Sequence, residues 1–241
     1  MANSTPKVND QYKIFTLESP ESLVAESFRM LQVNVSFSGI DEKMQVIQIS
    51  SALPGEAKTT VAINLAAAYA EKGRKVLLFD LDLRKPKVHR AFNLRNVGFG
   101  LTSYIAGECE VTDIIKKTET GIDVILRGAK SPFPNVILES KKLKDLIEDL
   151  RDIYDLIIID TPPVLLVTDA VLVSRIVDGT IFIVAYNQTK KDSAKEALNV
   201  LIKNKANVIG TVLTKVDAKH AKSYFGYGAK YKYYQDDKDT K

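Results

Sequence analysis

The stretch MQVIQISSALPGEAKTT (Met44–Thr60) decides the fold. Val46, Ile47 and Ile49 are β-forming residues in a short apolar run, the pattern of a buried strand. The run stops at Ser50-Ser51-Ala52-Leu53-Pro54-Gly55, which cannot continue it. Lys58-Thr59-Thr60 then opens VAINLAAAYAEKG, where Val61, Leu65, Ala68 and Tyr69 recur at helical spacing and Gly73 supplies a C-terminal stop. Strand, tight loop, Lys-Thr and helix are the parts of an anion cradle, with backbone N–H groups of the loop and helix N-terminus facing a phosphate. The candidate nucleotide-binding residues are Pro54, Gly55, Glu56, Ala57, Lys58, Thr59 and Thr60. Lys58 is placed to reach the β- and γ-phosphates, and the Thr59 hydroxyl to ligate Mg²⁺.

The phosphate-loop pattern G-x-x-x-x-G-K-[ST] has glycines where this chain has Ala52 and Ala57. An ordinary strand–helix turn is the alternative. A lysine suits that turn poorly, because a helix N-terminus already carries partial positive charge; a bound anion beside Lys58 removes the conflict.

Further buried strands are read at KVLLFDLDLRKP (75–86), GIDVIL (121–126), DLIIID (155–160), GTIFIVAY (179–186) and NVIGTVLTKVD (207–217). Helices are read from Ser19-Pro20-Glu21 through ESLVAESFRMLQVNVSF, at 138–154, at 168–177 and at 189–205. In the first of these, Leu23, Phe28, Leu31 and Val35 share one face; in the helix at 138–154, Leu143, Leu146, Ile147 and Leu150 point inward. Residues 87–118 read as short helices and loops around Gly98 and Gly100, and 128–135 as a proline-rich loop. Strands alternating with helices indicate an α/β fold with a mostly parallel sheet, helices on both faces and three layers. Ligands of such sheets bind beyond the strand C-terminal ends. The loop at 50–58, the pair Asp80/Asp82 and Asp160 all fall there. Asp80 and Asp82 are two apart, so they share a side if the strand continues. Carboxylates so close repel unless a cation or shared proton intervenes, and magnesium would supply that cation. Each aspartate could instead cap the turn that follows its strand.

The chain has 241 residues, 45% of them hydrophobic, enough for one large domain. It divides into an arm (1–18), a main domain (19–217) and a tail (218–241). The single Cys109 excludes an intramolecular disulfide framework and fits a reducing compartment. No apolar run reads as a signal peptide or a membrane span, which gives a cytoplasmic expectation. The net charge of +4 is no argument for nucleic acid. His89 and His220 read as surface residues rather than ligands.

The run FDLDLRKP resembles the Walker A′ motif of the bacterial tyrosine kinases, IIIDTPP resembles their Walker B motif, and SSALPGEAKTT is similar to their Walker A loop except at Ala57. SYFGYGAKYKYY resembles their C-terminal tyrosine cluster, so the likeness runs from Glu26 to Tyr234. It implies a P-loop fold related to the MinD/ParA ATPases and an ATP- and Mg²⁺-dependent protein-tyrosine kinase of capsule or exopolysaccharide systems. It further implies that Asp82 and Asp160 hold the metal with Thr59, that Asp80 accepts or orients the tyrosine proton, and that Lys58 and Arg84 complete the catalytic set. Tyr224, Tyr227, Tyr231, Tyr233 and Tyr234 become the phosphorylation sites, on the neighbour's tail within a ring such as an octamer. The helix at 19–37 would carry the ring contacts through Glu26 and Arg29; Gln32 stands where the family's E-x-x-R-x-x-R has its last arginine. A transmembrane co-polymerase-type adaptor would recruit the kinase to the inner membrane face and activate it. Other protein tyrosines are its expected substrates.

Two other readings compete. A MinD/ParA-type ATPase switch would have a signature lysine where this chain has Leu53, and no tyrosine-rich tail. A weakly catalytic nucleotide-binding scaffold draws support from Ala57, since alanine resists backbone angles that glycine adopts freely. A basic, tyrosine-rich tail could also stack on single-stranded nucleic acid, but carboxylates at the sheet edge oppose that at the same site.

Overall fold

The computed structural model describes residues 12–38 and 44–217. The apolar runs become strands of one sheet: β1 (Val46–Ser51), β2 (Val76–Asp80), β3 (Ile115–Lys116), β4 (Ile122–Ile125), β5 (Leu156–Asp160), β6 (Gly179–Ala185) and β7 (Val208–Thr214). The order across the seven-stranded sheet is β3-β4-β2-β5-β1-β6-β7, and every pairing is parallel except that of the two-residue edge strand β3. All residues of β1, β2 and β5 are buried, as a sheet covered on both faces requires.

The covering helices are α1 (Phe15–Glu18), α2 (Leu23–Ser38), α3 (Lys58–Ala70), α4 (Leu101–Ala106), α5 (Val111–Ile114), α6 (Pro134–Glu139), α7 (Lys141–Arg151), α8 (Asp169–Val173) and α9 (Lys191–Lys203). On one face Ile47, Ile49, Leu78 and Ile158 pack against Val61, Leu65 and Tyr69 of α3, with Val35 of α2 outside them. This double cover explains why α3 is buried almost all round. On the other face Val46, Leu77, Phe79, Ile157 and Ile159 meet Leu143, Leu146, Ile147 and Leu150 of α7. Three layers result, as the alternation of strands and helices implies.

Several boundaries differ from the sequence reading. Residues 12–18 are no free arm: Tyr12 and Ile14 enter the core, and the buried Asn64 side chain accepts from Phe15 N at 2.8 Å and donates to Lys13 O at 2.9 Å. The first long helix starts three residues late, because the Ser22 hydroxyl, rather than Ser19, accepts a first-turn N–H, from Ala25 at 3.1 Å. Leu23 therefore lies on the exposed end of α2, while Phe28, Leu31 and Val35 pack inward. The helix expected at 138–154 is broken at Ser140, whose backbone is extended and whose hydroxyl caps α7 through Leu143 N at 3.1 Å. The strand carrying Asp80 ends there, so Asp82 lies in the loop beyond it and the parity argument lapses.

At the opposite edge of the sheet Asp178, just before β6, ties three elements together. Its Oδ2 accepts from Gln45 N at 2.8 Å and Val46 N at 2.7 Å, and both its oxygens face the Arg151 guanidinium at 2.8 Å. Burial pushes the Asp178 carboxyl up, but Arg151 and the two N–H groups outweigh it and hold the group below its ordinary value. A depressed acid contributes stability above its unfolded pKa and loses it as pH falls through the folded value. Asp178→Ala should therefore cost about 2 kcal/mol at pH 7, lowering the melting temperature by roughly 4–8 °C. Thermal melts should show that gap narrowing below about pH 4; a gap that persists undiminished at pH 3 would refute the charge-based account.

Candidate active site

Parallel strands end together, and β5 lies between β1 and β2. Asp160 therefore sits in register with both Asp80 and Ile49. The segment after it is pinned to β1: Thr161 donates its hydroxyl to Ile49 O at 2.9 Å, and the Ser50 hydroxyl donates to Pro162 O at 3.0 Å. The loop at 51–58, Asp80 and Asp160 are thus gathered at one edge, as the sequence reading expects.

The phosphate loop turns on two left-handed residues, Gly55 at φ +80° and Ala57 at φ +69°, ψ +25°. Ala57 precedes α3 directly and adopts the conformation for which its position normally carries glycine. Pro54 and Gly55 are exposed at the loop tip. Glu56 faces inward instead of toward a ligand. Its Oε2 accepts from Leu53 N at 2.8 Å, its Oε1 accepts from the Thr189 hydroxyl, and its carbonyl accepts from the Thr214 hydroxyl at 2.9 Å. Glu56 is therefore the internal brace of the loop, linking it to the turn after β6 and to the end of β7. A glutamate between the turn residues of a tight loop is the signal sequence reading could have used.

Lys58 and Thr59 open α3, and both are buried. The Thr59 hydroxyl donates to Asp160 Oδ2 at 2.6 Å, while Asp160 Oδ1 is buried without a hydrogen-bond partner among the described residues. Burial pushes the Asp160 carboxyl up to about 6, against the pull of Lys58 and the Thr59 hydroxyl. Asp80 is also fully buried, and desolvation, then the charges of Asp160 and Asp82, hold its carboxyl well above the usual carboxylate range. Asp80 Oδ2 accepts from Lys87 N and Val88 N, both at 3.1 Å, and Oδ1 accepts from Asp82 N at 3.2 Å. It caps the turn that follows its strand, the role sequence analysis held as the alternative to metal chemistry. Asp82 is half-buried and accepts from Lys85 N at 2.9 Å.

Arg84 and Arg29 are both paired with carboxylates outside this centre. Arg84 is forked onto Asp169, Nε to Oδ2 and Nη2 to Oδ1, each at 3.0 Å. On α2, Arg29 is forked onto Glu71 at 2.9 and 2.8 Å, with Glu26 at 3.4 Å. Glu71 follows α3 at the end away from Lys58, so this cluster lies off the site. Tyr224, Tyr227, Tyr231, Tyr233, Tyr234 and His220 lie outside the described residues. His89 is half-buried, and burial, then Arg90 and Arg127, hold its pKa down. No helix among the described residues is long and apolar enough to cross a membrane.

The AAA domain family model matches residues 44–217. Tyrosine-protein kinase YwqD of Bacillus subtilis (strain 168) is 37% identical over 222 residues, 91% of this chain and 93% of that protein. Tyrosine-protein kinase CpsD of Streptococcus pneumoniae is 35% identical over 193 residues, 80% of this chain and 84% of that one. Among solved structures, the chimerical protein CapA2B2 superposes with a TM-score of 0.80 at 37% identity, covering 83% of this chain and 88% of that one. The kinase domain of the Escherichia coli tyrosine kinase ETK gives 0.79 at 30% identity, covering 85% and 82%. MinD of Pyrococcus horikoshii, complexed with Mg-ADP, gives 0.60 at 26% identity, covering 74% and 76%. Relatives matched along most of their length are tyrosine-protein kinases, and this chain belongs to the bacterial tyrosine-protein kinases.

Proposed function

We propose that this tyrosine kinase uses ATP and Mg²⁺ to phosphorylate the tyrosine cluster at 224–234 of its own chain, within a ring, in the regulation of capsule or exopolysaccharide synthesis. The observation that carries the proposal is the buried Asp160 Oδ1, without a hydrogen-bond partner among the described residues and beside the Thr59 hydroxyl. A buried acceptor that lacks a donor calls for a cation or a metal-bound water. Thr59, Asp160 and Asp82 would hold magnesium, directly or through its waters, and the ion would neutralise charge on the phosphates. Lys58 pairs with the β- and γ-phosphates, and the N–H groups of the loop wrap them.

The tyrosine oxygen attacks the γ-phosphorus, the bond from phosphorus to the β-bridging oxygen breaks, and ADP leaves. The phenolic proton passes to Asp80. Its Oδ2 is held by two N–H groups, so Oδ1, with one long contact, is the receiving oxygen. Burial that raises the basicity of this carboxylate suits the task. Thr214, the last residue of β7, bonds to Glu56, so the chain leaves the sheet beside the phosphate loop on its way to the tyrosines.

The ring proposal rests on α2. Leu23, Met30, Val33 and Phe37 are exposed there, a stripe opposite the face packed on α3. Arg29 is committed to Glu71 within the chain, which makes the apolar stripe the better contact surface than Glu26 and Arg29. The adaptor would act at the cytoplasmic membrane face, where the kinase would be recruited.

Three outcomes are expected. Incubation with ATP and Mg²⁺ should yield phosphotyrosine in the tail, and Lys58→Met should abolish it without loss of the fold; undiminished phosphotyrosine in the folded variant removes Lys58 from the mechanism. Met30→Asp with Phe37→Asp should lower the mass seen by light scattering, while Arg29→Ala should change mass less than stability; the reverse ranking would return the interface to the charged pair. For Ala57, the left-handed conformation costs about 1–2 kcal/mol that glycine avoids, partly offset by glycine's freedom in the unfolded chain. Because the strain is already present in the loop, Ala57→Gly should raise the melting temperature by about 2–4 °C and alter ATP affinity less than about twofold. A large gain in affinity at constant stability would show instead that ATP forces the loop into this shape.

A further inference from the structure

We infer that Asp169 is a positioning residue for Asp82, acting through Arg84; the inference rests on the reading of Asp82 as a magnesium-holding carboxylate. The loop leaving β2 carries Asp82 and is closed at its ends on Asp80, which binds the N–H groups of Asp82, Lys87 and Val88. Its middle is held from two other elements. Arg127, after β4, donates from Nη1 to Leu83 O at 3.1 Å. Arg84 crosses to α8 and forks onto Asp169, and its Nη2 also donates to Asn135 Oδ1 on α6 at 3.0 Å.

Asp169 is unlike an ordinary helix-start carboxylate. Its side chain is 0% exposed, against 38% for that of Arg84. A buried carboxylate needs a partner that satisfies both oxygens, and a planar guanidinium does so along one direction only. The arginine backbone is fixed accordingly, in a loop that contains no helix or strand. Asp82 feels that fixation through its immediate neighbour: the Asp82 carboxylate accepts from Lys85 N, the residue after Arg84. If Arg84 swings away, Lys85 N moves and the Asp82 carboxylate loses its orientation. Arg84 is accordingly a link in the scaffold of the metal site, not a group that touches ATP, and Asp169 is the anchor that sequence reading missed.

The test measures binding of fluorescent ADP with and without Mg²⁺, alongside thermal melts and the Mg²⁺ dependence of the phosphotyrosine rate. Asp169→Asn is chosen because the half-exposed Arg84 can then turn to water, whereas Arg84→Ala would strand a buried charge. The ratio of affinities with and without Mg²⁺ should fall about 10-fold, as for other residues that orient metal ligands, with Mg²⁺-free affinity changed less than about twofold. Arg84→Lys should reproduce the fall, since an ammonium cannot fork. A lower melting temperature with an unaltered ratio would make Asp169 a structural brace only and overturn the inference. Asp82→Asn separates the two readings: no change of ratio in that variant sinks the role of Asp82, whereas a change there and none in Asp169→Asn sinks the positioning role. Should Asp169→Asn fail to fold, Asn135→Ala loosens Arg84 by one bond and must lower the ratio in the same sense.

Discussion

Two carboxylates buried at the ends of adjacent strands repel each other, and the rest of the site is arranged around that repulsion. Asp80 and Asp160 are register partners, so no local adjustment can separate them without shifting β2 against β5. Burying even one ionised carboxylate is costly unless it is paired or hydrogen-bonded. The surroundings supply compensation unevenly. Asp80 receives three backbone N–H groups, while Asp160 receives the Thr59 hydroxyl and the field of Lys58. One oxygen of Asp160 has no hydrogen-bond partner among the described residues. The pair is therefore unevenly satisfied: Asp80 is held by backbone N–H groups, Asp160 by one hydroxyl and a nearby cation.

The phosphate loop shows the same logic in its backbone. A left-handed alanine is an uphill choice, and it persists only because its neighbours determine the path of the chain. Glu56 does this from inside, holding Leu53 N, the Thr189 hydroxyl and, through its carbonyl, Thr214. Gly55 and Ala57 flank that brace and take the positive φ values of the turn. The rigidity that makes Ala57 tolerable also ties the loop to β7. The end of β7 and this loop are therefore joined directly by the Thr214–Glu56 hydrogen bond.

Much of this architecture is legible in the sequence because it rests on simple patterns. Uninterrupted runs such as LIIID and VLLFD can be satisfied only in a sheet covered on both faces, and their terminal aspartates then lie at one edge by topology alone. What escapes sequence reading depends on contacts between distant segments. The Asn64 side chain that fastens residues 13–15 looks like any polar residue of a helix. Asp169 sits in TDAVLV like an unremarkable helix start, although Arg84, far away in sequence, accounts for it. The parity of Asp80 and Asp82 misleads because Asp80 itself ends the strand by binding the N–H groups of the turn.

That last contact shows why the structural and chemical roles of Asp80 cannot be divided. The N–H groups of Lys87 and Val88 stabilise its anion and so oppose the rise in basicity that burial brings. Burial and the charges of Asp160 and Asp82 outweigh them, so the carboxyl stands well above the usual carboxylate range. The same three N–H groups define the loop on which Asp82 rides and from which Arg84 reaches Asp169. The fold thus uses one carboxylate both to end a strand and to face a second acid across the sheet.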